Sequence, residues 1–138
     1  MIIVIRISGL VDVPQKIEEA LYRMRLRKKY VAVLVEETPE NIKMIENVRN
    51  FVAYGHIKEQ IIETLIESRG ESIDKKKIDA KKVVSQLSKK SLQELGVKPF
   101  FRLHPPRKGI ESKKHFGVGK GVLGNNKEHI VKLLERML

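Results

Sequence analysis

YVAVLVEETPENIKMIENVRNFVAYGHI, residues 30–57, contains a strand, a helix and a second strand in succession. Residues 30–37 are a Val-rich run, and β-branched side chains pack well on a pleated, buried surface. Thr38 offers a side-chain oxygen to open a helix, and Pro39 brings a fixed φ suited to its first position. Ile42, Ile45, Val48 and Val52 follow at helical spacing as the inner face. Over 51–57, aromatic and β-branched residues interrupted by Gly55 signal a return to extended chain.

On the N-terminal side, MIIVIRIS, residues 1–8, predicts a buried strand in which only Arg6 is polar between Ile3 and Ile7, and Gly9 ends it. Pro14 suits a first helical position, and Ile17, Ala20, Leu21 and Met24 recur at i, i+3, i+4, i+7. Glu18 and Glu19 fall near the positive end of that helix and Arg23, Arg25 and Arg27 near its negative end, with Lys28 and Lys29 extending the basic edge. The first 57 residues thus read β-α-β-α-β.

On the C-terminal side, Ile61, Ile62, Leu65 and Ile66 mark a third helix, with Gly70 as a C′ stop. Residues 71–98 then carry the runs KKK at 75–77 and KK at 81–82 and 89–90. Asp79 as N-cap, with Val83, Val84 and Leu87 inward, makes one helix there, and Ser91 with Glu94 makes a capping box for a last turn closed by Gly96. A solvated helical face explains these lysines better than phosphate contact does. Ile130, Leu133, Leu134 and Met137 give a closing amphipathic helix. The division expected is a body at 1–70, a basic helical segment at 71–97 and a binding loop with C-terminal helix at 98–138, together one compact domain.

The 138 residues suffice for one domain with a core; 33% are charged, against a usual share of roughly 25%. The absence of cysteine removes disulfide scaffolds, thiolate metal sites and cysteine nucleophiles. Neither a membrane span nor a secretory leader is legible, so a cytoplasmic location is expected. The net charge is +11, which favours polyanionic partners. It is unevenly placed, with 11 Lys+Arg against 10 Asp+Glu in residues 1–70 and 17 against 7 in residues 71–138.

Residues 98–127, KPFFRLHPPRKGIESKKHFGVGKGVLGNNK, hold 8 Lys+Arg, one Glu, three Phe and five Gly, with no helical or strand period beyond FFRL. So little apolar surface predicts a segment that orders on a partner which neutralises it. Phe100, Phe101 and Phe116 interleave with Arg102, Arg107, Lys108, Lys113, Lys114 and Lys120, a mixture able to stack on bases while pairing with phosphates. Packing on the body is the stronger reading for Phe100 and Phe101. Pro105 and Pro106 stiffen the backbone that presents Arg107 and Lys108.

Chemistry finds little support. Gly119, Gly121 and Gly124 match G-x-G-x-x-G, but no strand precedes them and no acidic residue follows at ~20 positions, as a dinucleotide site needs. Asn125 is a candidate cap for the final helix. His104 and His115 lack companions for a metal and read as phosphate donors or structural groups; His56 and His129 read as structural. Ser8, Ser91 and Ser112 have no activating base motif. No catalytic residue, metal or cofactor is expected.

IRISG at 5–9, VEETPENIKMIENVRNFVAYG at 35–55, and above all FRLHPPRKG at 101–109 with KKHF at 113–116 and GVLGNN at 121–126, make the chain resemble the large-subunit ribosomal protein L-thirty family. The form is the longer one of archaea, called L-seven in eukaryotes. One departure is Lys108, where the family commonly has the first of two glycines. The resemblance implies an α+β, ferredoxin-like body with a small antiparallel three-stranded sheet, extra helices and a basic C-terminal extension embedded in ribosomal RNA. It implies a structural role without catalysis. The partners implied are large-subunit RNA, then 5S RNA and neighbouring ribosomal proteins.

The RNA contacts are expected from two stretches: Arg23, Arg25, Arg27, Lys28 and Lys29, and then Arg102, His104, Arg107, Lys108, Lys113, Lys114, His115, Phe116, Lys120 and Lys127. The competing readings are a nucleotide- or phosphate-binding enzyme using GKGVLG and a chromatin-type DNA-binding protein using the same charge.

Overall fold

The computed structural model describes residues 1–7, 9, 13–73, 79–87, 94–106, 112–115 and 121–138, with residues 112–115, 121, 122 and 128 described by their backbone. Strands β1 (Ile2–Arg6), β2 (Val31–Val35) and β3 (Val52–His56) alternate with helices α1 (Gln15–Arg23) and α2 (Pro39–Asn47), the expected β-α-β-α-β order. β1 lies between β2 and β3, antiparallel to both, with Ile3 opposite Leu34 and Gly55, and Ile5 opposite Ala32 and Ala53.

Side chains on a strand alternate between faces, and both faces of β1 are buried. Ile3, Ile5 and Ile7 join one core with α3 (Glu59–Arg69), α4 (Ala80–Gln86) and α5 (Ile130–Met137). Ile2 and Val4 join a second core with Leu21, Met24 and Leu26 from α1 and its exit, and Ile45 and Val48 from α2 and its end. A sheet covered on both sides needs near-continuous apolar strands, which is what MIIVIRIS and YVAVLV supply.

The helix signals act largely as read. Thr38 Oγ1 accepts from Asn41 N–H at 3.2 Å, with Pro39 in the first turn, and Asp79 Oδ1 accepts from Lys82 N–H at 3.4 Å. Two differ. Pro14 is the residue before α1 rather than its first, with ψ 142, and its carbonyl accepts from Ile17 and Glu18. Gly70 ends α3 with φ −67 rather than in the left-handed region, so its lack of a Cβ serves close approach to the Ile66 carbonyl instead. Ser91 lies outside the described residues, while Gly96 has φ 80 and closes its turn.

The sheet is wider than three strands, running β4-β2-β1-β3-β6-β5. β4 (Phe101–Arg102) adds antiparallel to β2, β6 (Gly121–Asn125) adds parallel to β3, and β5 (Ser112–His115) parallel to β6. This corrects the reading of 98–127 as lacking strands beyond FFRL. A ladder is made by backbone groups, so a strand such as GVLGN forms where a neighbouring edge needs partners, without side-chain alternation to announce it. Leu123 is buried, and Asn126 N–H donates to the Tyr54 carbonyl at 2.8 Å.

Residues 71–98 close on themselves at their base. Ser72 and Val97 form an antiparallel bridge, Lys98 N–H donates to the Glu71 carbonyl at 2.8 Å, and Lys98 Nζ lies 3.0 Å from Glu71 Oε2.

Candidate nucleic-acid interface

The exit from α1 is a left-handed cap. Leu26 N–H donates to the Leu21 carbonyl at 2.9 Å and Arg25 N–H to the Tyr22 carbonyl at 3.0 Å, with Arg25 between them at φ 66. That pair of bonds satisfies carbonyls otherwise left open at a helix end, and glycine is its usual occupant. Buried Leu26 packs in the same core as Leu21, which holds the turn although an arginine stands at the strained position. Arg25→Gly should raise stability by about 0.5–1 kcal/mol, a higher melting midpoint being the expected result. A lower midpoint would mean that the side chain contributes more than its backbone costs.

Beneath this turn lies Arg6, on the same strand face as Ile2 and Val4 and only 1% exposed. Its Nη1 donates to the Leu26 carbonyl at 2.7 Å and its Nη2 to the Gly9 carbonyl at 3.2 Å. Burial lowers its pKa from the ordinary arginine value, while the Glu18 carboxylate works in the opposite direction. Tyr30 N–H donates to the Arg6 carbonyl at 2.7 Å, so one residue ties the chain entering α1, the basic turn and the start of β2.

Above the turn is an open groove of about 1080 Å³ between α1 and β4. Arg23, Arg25, Arg27, Lys28 and Arg102 line it. Arg102 arrives through strand pairing, being directly opposite Val31, so two stretches that are 73 or more residues apart by number supply one basic surface. Tyr22 and Phe100 are also at its walls, with the Arg27 guanidinium 4.4 Å from the Tyr22 ring centre and that of Arg102 5.8 Å from Phe100. Both arrangements are cation–π contacts. Glu18 and Glu19 line the groove as well.

The other expected residues are dispersed. Lys29 lies over the Tyr30 ring at 5.0 Å. His104 is exposed, with Nδ1 2.7 Å from the Pro105 carbonyl, and its backbone N–H donates to the Met137 carbonyl at 2.8 Å. Lys127 has φ 52 and opens a turn of 3-10 helix (Lys127–His129) before α5, its N–H donating to Asn125 Oδ1 at 2.9 Å. Asn125 therefore caps that turn rather than α5 itself. Lys113, Lys114 and His115 belong to β5, at the opposite end of the strand order from β4. Arg107, Lys108, Phe116 and Lys120 lie outside the described residues.

The sequence reading overlooked Tyr22 and Arg6. For Tyr22 the sequence carries no clear signal, since alternation through YRMRLR, residues 22–27, would place it on the side of Met24 and Leu26, whereas it is exposed beside the arginines. For Arg6 the signal is its place as the one polar residue of an expected buried strand, which requires partners for the guanidinium but does not say which. Of the glycine motif, Gly121 and Gly124 lie inside β6, where a dinucleotide loop would require a strand-to-helix turn. Among the described residues no cluster of His, Asp and Glu could hold a metal ion, and no helix is long and apolar enough to cross a membrane.

The family model described as Ribosomal protein L30p/L7e matches residues 2–52, the stretch from β1 through the basic turn and α2 to the start of β3. Curated relatives extend the likeness to the whole chain. Large ribosomal subunit protein uL30 of Aeropyrum pernix is 37% identical, covering 98% of this chain and 97% of that protein. Proteins of the same name from Archaeoglobus fulgidus and Methanobrevibacter smithii are 35% and 36% identical, covering 99% and 100% of both partners. With such identity sustained along both partners from end to end, the chain belongs to the ribosomal protein L30p/L7e family.

Proposed function

We propose that this chain is a structural constituent of the large ribosomal subunit, in the cytoplasm, where it binds and stabilises ribosomal RNA without catalysing a reaction. The full-length likeness to proteins named for that subunit supports the placement. The observation that carries the contact is the groove where Arg102 joins Arg23, Arg25, Arg27 and Lys28. Phosphate neutralisation by clustered Arg and Lys is the dominant source of affinity for nucleic acid. Residues 98–138 carry further Lys and Arg in sequence, and 5S RNA and neighbouring ribosomal proteins are additional candidate partners, on the resemblance alone. The enzyme reading has no support, since two of the three glycines it requires sit within a strand.

Binding to large-subunit RNA tests this. If about six phosphates are neutralised, log K should fall against log salt with a slope of about −4 to −5. Lys28→Gln together with Lys29→Gln should flatten the slope by roughly 1.4 to 1.8 while the melting midpoint hardly moves, both residues being exposed. A slope near zero would overturn the reading. Equal affinity for duplex DNA would favour the chromatin-type alternative.

A further inference from the structure

We infer that the groove between α1 and β4 takes an unpaired RNA nucleotide, its base stacked against Tyr22 and Phe100 and its phosphate held by the surrounding arginines. The inference rests on the RNA-binding reading and adds what part of the RNA this surface receives. A trough for duplex backbone needs cations and little else. This groove differs in two respects. Tyr22 is a large ring left 55% exposed, and Phe100, half-buried against the core that holds Leu21 and Val31, is a second ring lining the same groove, each with a guanidinium near its face. Aromatic rings and arginine planes are the surfaces on which splayed-out bases stack, and a paired base has no free face to offer them.

The second respect is the pair of carboxylates. Glu18 and Glu19 precede Tyr22 by four and three residues, which places them one turn away on α1. They repel phosphate, yet they accept hydrogen bonds from the N–H groups on a base's pairing edge, which are free only when the base is unpaired. Arg23, Arg25 and Arg102, the rings of Tyr22 and Phe100, and the carboxylates of Glu18 and Glu19 all line this one groove, and they match a phosphate, a base face and a base edge respectively.

The test uses the full chain, an unstructured mixed-sequence 12-nucleotide RNA, and the same strand annealed to its complement. Tyr22→Ala should weaken binding to the single strand by between about 5- and 150-fold, the range for losing one stacked base. Tyr22→Phe, which keeps the ring, should stay within about 2-fold, and neither variant should alter duplex binding by more than that. Because Tyr22 is exposed, unchanged melting curves will accompany both substitutions. Equal losses on both RNAs, no loss on the single strand, or a loss with Phe matching that with Ala would each overturn the nucleotide site while leaving RNA binding in place. Failure of the unaltered chain to bind either RNA would overturn the RNA-binding reading and the groove with it.

Discussion

Arg6→Met should lower stability by about 2–4 kcal/mol, seen as an earlier urea midpoint at unchanged slope. The side chain is almost wholly enclosed, and two of its nitrogens donate to carbonyls from two loops, Leu26 at 2.7 Å and Gly9 at 3.2 Å. Methionine fills much of the volume but donates nothing, so the buried Leu26 carbonyl loses its partner, and an unsatisfied buried acceptor costs about 1–3 kcal/mol. Removing a desolvated charge offsets part of this loss, which keeps the expected figure below the upper limit for breaking buried ionic contacts. Arg6→Lys should recover less than half, because one ammonium on a flexible stem does not span two carbonyls as a planar fork does. Stability equal to the unaltered chain would show that the clamp is dispensable.

Gly55→Ala should cost about 3 kcal/mol, or a fall of roughly 10 °C in melting midpoint for a chain of this size. Gly55 is in β3 opposite Ile3, and its bare Cα is where the 3-10 turn and α5 come down on the sheet. A Cβ there would fall onto the Lys127 carbonyl oxygen and lie 2.8 and 2.9 Å from Cγ2 and Cβ of Ile130. Overpacking usually costs about 1–3 kcal/mol, and the upper end applies because one of the atoms met is backbone and cannot rotate away. Adding Ile130→Ala should not rescue the variant, since Ile130 Cβ and the Lys127 carbonyl both stay. Recovery in the double variant would place the conflict in the Ile130 side chain alone.

Much of the body was legible because its signals are local. Thr38 and Pro39 open α2 through atoms within a few residues of each other, and Leu21 and Met24 take the inner face of α1 by spacing alone. Charge counts located the basic half. Where the reading slipped, the deciding interaction was distant or invisible to side-chain pattern. GVLGN became a strand because β3 offered an open edge, and Pro14 and Gly70 took roles set by backbone conformation and close approach rather than by residue type.

The candidate site divides along the same line. By itself the sequence determined that Arg23, Arg25, Arg27, Lys28 and Lys29 gather as a basic edge where the first helix hands over to the second strand, at the negative end of the helix, and it determined the β-α-β-α-β order that delivers them. Only the tertiary structure decided that Arg102 completes that edge, through two residue pairs between β2 and β4. It alone decided that Arg6 is a buried clamp rather than a surface charge, and that Gly55 is a landing point for α5. The reason is physical: periodicity encodes which way a side chain faces, whereas a buried charge or a missing Cβ takes its meaning from atoms that folding brings in from elsewhere in the chain.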